Sequence, residues 1–319
     1  MKFWKMNGAG NDFIVINNIE EKIPVEKLSY IAKTLCERHL SIGADGFMVI
    51  ERPSEGVNAD YRMLFYNSDG SIGEMCGNGA RCICRYGYEN GLSANEEPVI
   101  ETTAGIISGR CIDKQFYRIR LNDPSVIELD KKLILDDKFD FWTHTSYGDL
   151  IAESDVEEFV VECSYLVLGD PGIPHLVVEY KDNIAALCKS EHLETADENI
   201  LRELGRALRW NSALPKGANV NFIEVVGDNQ IYEKTFERGV EDFTYACGTG
   251  TGCAGIVLTL LGKASGSDIH FTVTGGELII DVEEIDESED GSISVHGLFL
   301  TGPTNVVAKG EVTDENLIL

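Results

Sequence analysis

The sequence predicts an α+β fold of two similar halves, each a mixed or antiparallel sheet around a central helix. Three observations carry that expectation. A Cys-Gly-x-Gly segment occurs twice, as Cys76-Gly77-Asn78-Gly79 and as Cys247-Gly248-Thr249-Gly250, each time opening a run of small and apolar residues with helical character. Its surroundings repeat as well. A strand-like run precedes each copy (Tyr61 to Tyr66, Ile231 to Phe236), and a Thr- and Gly-containing strand start follows (Glu101 to Gly105, Phe271 to Gly276). The interval from Cys76 to Gly105 is 29 positions, as is that from Cys247 to Gly276. Finally, short β-rich runs outnumber helical ones and do not alternate with them as a doubly wound parallel sheet requires.

Taken in order, Asp12 to Ile16 reads as a strand and Val25 to Arg38 as a helix, followed by strands at Phe47 to Ile50 and Tyr61 to Tyr66. The first Cys-Gly helix comes next, and Phe116 to Leu121 alternates polar with apolar residues, as a half-buried strand does. A half boundary is expected near Asp123-Pro124, giving 1–123 and 124–303 as the two halves. The second half opens with strands at Tyr165 to Leu168 and His175 to Val178. A helix over Asp197 to Trp210 follows, with Glu198, Leu201, Leu204 and Leu208 at helical spacing. Strands at Val220 to Val226 and Ile231 to Phe236, the second Cys-Gly helix, and a strand at Glu277 to Val282 complete it. The acidic run from Asp281 to Asp290 reads as a solvated hairpin tip.

Composition narrows the function classes. With 54 acidic against 27 basic residues the net charge is −27, a field that repels polyanions, so neither nucleic acid nor an anionic membrane surface is an expected partner. No apolar stretch is long enough to span a bilayer. The start, Met1 to Gly8, lacks the apolar core and cleavage site of a signal peptide, so a cytoplasmic location is expected. Nine cysteines, an odd number at irregular spacing, do not suggest a disulfide framework, and no Cys-x-x-Cys pair or other pattern points to a metal. Most should be buried small hydrophobes.

Cys76 and Cys247 are the exceptions, because each stands where a helix begins. A helix N-terminus presents unpaired N–H groups and about half a positive charge. A cysteine placed there is expected to lose its proton more readily than a free thiol. The glycines that follow let a carboxylate approach those N–H groups. Two such sites acting on one substrate can invert a carbon: one thiolate removes the α-proton and the other thiol returns a proton to the opposite face. The helix N–H groups stabilise the charge that develops on the carboxylate. No cofactor is needed for this, and the glycine segments lack the third glycine and acidic partner of a dinucleotide fingerprint. The competing reading is two packed helix-start cysteines amid structural glycines.

The chain resembles the diaminopimelate epimerase family over nearly its full length. The carrying segments are Asn7 to Phe13, Arg38 to Gly46, Tyr66 to Ser71, Met75 to Arg81, Ala218-Asn219, Glu237-Arg238-Gly239 and Ala246 to Gly250. The resemblance implies two pseudo-symmetric halves with the active site in the cleft between them, and a stretch at 304–319 that returns to the first half as a closing strand. It implies an isomerase of amino acids with Cys76 and Cys247 as the acid/base pair and no cofactor. Gly77, Asn78, Gly248 and Thr249 would be backbone donors to the reacting carboxylate, and Glu237 would hold the ammonium. Arg238 would clamp a distal carboxylate through its planar fork. Asn11, Asn67 and Asn219 match amide ligands of the distal end, and His175 matches a histidine beside one cysteine that could tune it. Without the resemblance Glu237 and Arg238 would read as exposed polar residues, the asparagines as turn or strand-end residues, and His175 as a structural histidine. His39 is expected to pack.

Two departures bear on the substrate. Gly172-Ile173-Pro174-His175 carries isoleucine where the family often has asparagine, and Asp242-Phe243-Thr244-Tyr245 stands where the family commonly has a Glu-Thr pair before Ala-Cys. The leading expectation is conversion of L,L- to meso-diaminopimelate, for lysine and peptidoglycan precursors. The alternative keeps the mechanism on another amino acid, such as histidine. A cysteine-based redox protein and a non-catalytic amino-acid binder stand further off. The segment from Glu128 to Glu158 has no functional reading, and whether two copies form a homodimer is left open.

Overall fold

A computed structural model describes residues 1–73, 76–135, 159–170, 172–185, 187–188, 190–288, 291–313, 315 and 317. Its chain forms two compact units: residues 1–121 with 275–278 and 299–319, and residues 122–274 with 279–298. Both mix strands with a few helices, so the fold is α+β.

The first unit contains β1 (Lys2–Gly8), β2 (Asn11–Asn17), α1 (Asn18–Glu21), α2 (Val25–Cys36), β3 (Gly46–Glu51), β4 (Tyr61–Asn67), α3 (Gly77–Glu89), β5 (Val99–Thr102), β6 (Gly105–Cys111) and β7 (Phe116–Arg120). Parallel pairing joins β2 to β3 and β4 to β5, while β1–β2, β3–β4, β5–β6 and β6–β7 are antiparallel. Helix α2 ends two residues earlier than its hydrophobic pattern suggests. The Leu35 and Cys36 carbonyls accept from Gly43 and Ala44, and His39 takes a left-handed φ of 76°. His39 is exposed, so the packing role expected of it is not found. Leu28, Ile31, Ala32 and Leu35 form the buried stripe of α2 against Ile14, Ile16, Phe47 and Val49.

Helix α3 is the centre of this unit. Every residue from Gly77 to Gly87 is buried, and the helix packs on β1, β2, β3, β6 and β7. Gly8 permits the approach of β1, because a Cβ there would lie 2.7 Å from the Asn78 carbonyl oxygen.

The second unit contains β8 (Pro124–Leu135), β9 (Phe159–Gly169), β10 (Gly172–Glu179), α4 (Tyr180–Asn183), α5 (Glu198–Arg209), β11 (Asn219–Gly227), β12 (Gln230–Glu237), β13 (Asp242–Phe243), α6 (Gly248–Leu260) and β14 (Ile269–Val273). Strands β8–β9–β10 are antiparallel, β10–β11 parallel and β11–β12 antiparallel, and β12 is flanked by antiparallel β13 and parallel β14. Asp197 caps α5 by accepting from the Asn199 and Ile200 amides, and Ile200, Leu201, Leu204 and Leu208 enter a core with Leu176, Phe222 and Phe236. Helix α6 is apolar around its circumference and buried from Gly250 to Leu258, as a core helix must be, and it packs on β9, β10 and β11.

Strands β15 (Gly276–Glu287), β16 (Ile293–Pro303) and β17 (Asn305–Glu311) follow. Phe299–Pro303 of β16 pairs with β7, and β17 pairs with β1 from Lys2↔Glu311 to Asn7↔Asn305. The acidic run lies at the β15–β16 turn, where Ser288 donates to Ser292, although Glu289 and Asp290 fall outside the described residues. Most of the Glu128–Glu158 segment, from 136 onward, also lies outside them.

Candidate active site

The two Cys-Gly-x-Gly segments adopt nearly the same local geometry. Cys76 sits at φ −118°, ψ 109° and Cys247 at φ −118°, ψ 98°, each the extended residue before a 13-residue helix. The Cys76 carbonyl accepts from the Ala80 N–H at 2.8 Å and the Cys247 carbonyl from the Thr251 N–H at 2.9 Å. Neither cysteine side chain caps its own helix. A sulfur and the backbone N–H groups of a helix's first turn thus lie side by side at each helix start, the arrangement that can meet a ligand oxygen. All nine cysteines are thiols.

Around Cys76, which is partly buried, three side chains are joined in a row. Arg81 Nη2 donates to Asn78 Oδ1 at 2.9 Å, and Asn78 Nδ2 donates to Asn11 Oδ1 at 2.5 Å. Asn11 Nδ2 in turn donates to Asp45 Oδ2 at 3.3 Å, at the edge of an ion cluster of Asp45, Arg38, Asp12 and Lys5. Asn78 and Asn11 are thus brought together. Asn67 bonds to Ser71 Oγ at 2.9 Å within the turn after β4.

Cys247 is more deeply placed, only 6% exposed, with its sulfur 3.6 Å from Thr249 Oγ1. Burial pushes its thiol well above the ordinary range. The Glu237 charge adds to this, and Thr249 and the Gly250 N–H oppose it without prevailing. This departs from the expectation that its helix start would lower it: desolvation outweighs the hydrogen bonds from Thr249 and the Gly250 N–H. A thiolate at Cys247 therefore needs a charge change around it. Gly250 belongs to the same construction, since a Cβ there would stand 2.0 Å from Asn221 Oδ1.

Two buried polar chains underlie this cysteine. Thr251 Oγ1 lies 2.6 Å from Glu233 Oε2 and 3.0 Å from the Cys247 carbonyl oxygen. Thr235 Oγ1 donates to Asn221 Oδ1 at 3.0 Å, and Asn221 Nδ2 lies 3.3 Å from His175 Nδ1 and donates to the Leu176 carbonyl at 2.8 Å. His175 is fully buried, which drives its pKa down to about 3, with Arg238 adding to the effect, so the imidazole is neutral near pH 7. Its Nε2 has no partner among the described residues.

The remaining expected ligands cluster at the end of β12. Asn219 Oδ1 accepts from the Arg238 amide at 2.7 Å, and Arg238 Nη1 donates to the Lys216 carbonyl at 3.4 Å. Arg238 lines a recess of about 600 Å³ with Arg209, Lys216, Trp210 and Asn211, in which Arg209 and Trp210 are both engaged by Glu241 at 3.2 Å. Glu237 precedes it and acts on Cys247 through its charge. Ile173 lies opposite Leu168 in the β9–β10 ladder. Phe243 packs its ring 6.2 Å from that of Phe222 and 5.9 Å from that of Phe236, so this departure from the family pattern serves the core.

Sequence reasoning missed Arg81, Asn221, Glu233 and Thr251. The signal for Glu233 was present: along β12 the period of two puts it on the buried face with Ile231 and Thr235. No cluster of three or more metal-ligating side chains occurs among the described residues, and no described helix is long and apolar enough to cross a membrane.

Comparison with known proteins adds to this geometry. A diaminopimelate epimerase from Aquifex aeolicus is 34% identical over 326 aligned positions, covering 99% of each chain, and one from Caldanaerobacter subterraneus is 32% identical, covering 98% of this chain and 99% of its own. Among solved structures, a hydroxyproline epimerase from Agrobacterium vitis with bound trans-4-hydroxy-L-proline superposes with a TM-score of 0.65 at 17% identity, over 98% of this chain and 90% of that one. A probable proline racemase from Agrobacterium radiobacter gives 0.61 at 18%, over 98% and 92%. These likenesses show a shared fold. The family model described as diaminopimelate epimerase matches residues 3–117 and 172–305, and with relatives above 30% identity along the whole chain, this protein belongs to the diaminopimelate epimerase family.

Proposed function

We propose that this chain epimerises diaminopimelate between its L,L- and meso forms, with Cys76 and Cys247 as a thiolate/thiol pair and no organic cofactor. The observation that carries the reading is the duplicated helix start: two thiols in matching backbone geometry, each immediately before the first turn of a 13-residue helix. One sulfur removes the α-proton as the other returns a proton to the opposite face. The backbone donors of Gly77, Asn78, Gly248 and Thr249 hold the carboxylate, where charge builds in the transition state. Glu237 holds the reacting ammonium, and neutral His175 supports the Cys247 side through Asn221 without supplying a charge. Arg238, with the recess it lines and Asn219 behind it, takes the distal carboxylate, and Asn11 and Asn67 complete the distal contacts. The units of residues 1–121 and 122–274 are proposed to carry one cysteine helix each as the two functional halves.

The test is proton NMR in deuterated buffer with L,L-diaminopimelate beside a panel of single amino acids. Loss of the α-proton signal of diaminopimelate, with growth of the meso isomer and no added pyridoxal phosphate, is expected. Cys76→Ala and Cys247→Ala should each abolish epimerisation. Exchange of histidine or another amino acid with none of diaminopimelate would overturn the substrate, and full activity in both variants would overturn the mechanism.

A further inference from the structure

Arg81 is the side chain whose placement the reaction as described does not use. It is 0% exposed, yet its guanidinium makes a single recorded bond, Nη2 to Asn78 Oδ1, while Nε and Nη1 have no partner among the described residues. No described carboxylate pairs with it, in a chain where acids outnumber bases 54 to 27. A buried, uncompensated cation is costly and seldom retained without an anion to meet it. Burial lowers its pKa only to about 10, so it stays charged at neutral pH. The titratable groups that feel that charge are Cys82, inside the helix, and Cys76, at its start. The space beside it is tight, since a Cβ at Gly302 would fall 3.0 Å from the guanidinium carbon.

We propose that Arg81 is a positioning residue for the Cys76 half of the reaction: its buried guanidinium stands behind the first turn of α3, orients Asn78 and through it Asn11, and supplies positive charge to the Cys76 sulfur. The proposal rests on Cys76 being an acid/base of the reaction. Cys247 instead has its thiol raised by burial and by the charge of Glu237, so the two matched helix starts differ in their surroundings.

The experiment is peptide-resolved alkylation of the full-length protein by iodoacetamide as a function of pH, which reads thiolate directly and needs no turnover. In the wild type the Cys76 midpoint should fall at least about one pH unit below the ~8.5 of a free thiol, and below that of Cys247. Arg81→Met and Arg81→Gln should each raise the Cys76 midpoint, slowing its alkylation at pH 7 about tenfold. Arg81→Gln keeps an amide donor for Asn78, so its KM should rise less than that of Arg81→Met, while the loss in kcat is shared. A wild-type Cys76 midpoint equal to that of urea-unfolded protein overturns the proposal even if neither variant folds. An unshifted midpoint in a folded variant overturns it as well. Loss of the alkylation shift with intact deuterium exchange would sink this role of Arg81 alone, whereas absence of exchange in the wild type would sink the epimerase reading.

Discussion

Replacing Glu233 by glutamine tests whether a buried proton is built into the second unit. The carboxyl is 1% exposed, lies 2.6 Å through Oε2 from the Thr251 hydroxyl, and leaves Oε1 without a partner among the described residues. Burial raises its pKa from 4.5 to about 8, against the opposing pull of the Thr251 hydrogen bond. The Thr251 hydroxyl donates to Glu233 Oε2 and also lies 3.0 Å from the Cys247 carbonyl oxygen, so among the described residues the carboxyl has a single side-chain partner, too little to hold a buried carboxylate. Because the folded state holds this proton more tightly than the unfolded chain, stability from this group is full below pH 4.5 and declines as pH rises through 8. The whole span corresponds to about 5 kcal/mol. Glutamine has no proton to lose, so Glu233→Gln should unfold near the wild-type urea midpoint at pH 4.5 and increasingly above it as pH rises to 8, with no further divergence by pH 9. The assay is urea denaturation by circular dichroism across that range under reducing conditions, the variant-minus-wild-type difference cancelling the effect of overall charge. Parallel stability curves for the two proteins would refute a buried, protonated Glu233.

Other outcomes follow from the same geometry. Arg238→Lys should raise KM for diaminopimelate about 10- to 100-fold, since an ammonium cannot reproduce the bidentate fork, and steady-state kinetics read it directly. His175, held near pKa 3 by burial, should show no imidazole NMR titration between pH 5 and 8, and a midpoint near 6.5 would contradict its burial. The same lowering means that the unfolded chain takes up a proton at this histidine below pH 6.5 before the folded protein does, so its share of stability falls with pH there. Gly250→Ala should drive a methyl into Asn221 Oδ1, 2.0 Å away, and cost about 1–3 kcal/mol of stability together with most of the activity.

The sequence by itself determined the local events. The hydrophobic stripe Leu28, Ile31, Leu35 gives α2, Asp197 caps α5, and the glycines flanking Asn78 and Thr249 open two helices whose first turns leave space around their backbone N–H groups. These are short-range effects, written in spacing and backbone sterics. Tertiary structure alone decided what depends on residues far apart in the chain. That β17 lies against β1 is a pairing across nearly the whole sequence, and no periodicity in Asn305 to Glu311 names its partner. The protonation state of Cys247 is another case: a helix end predicts a lowered pKa, but desolvation, set by the elements packed around the sulfur, reverses the sign. Arg81 and Glu233 are ordinary polar letters in a helix and a strand, and became a buried cation and a buried acid only when sheets closed over them. Charge in water is cheap and charge in a core is not, so burial, which no local pattern fixes, assigns these side chains their chemistry.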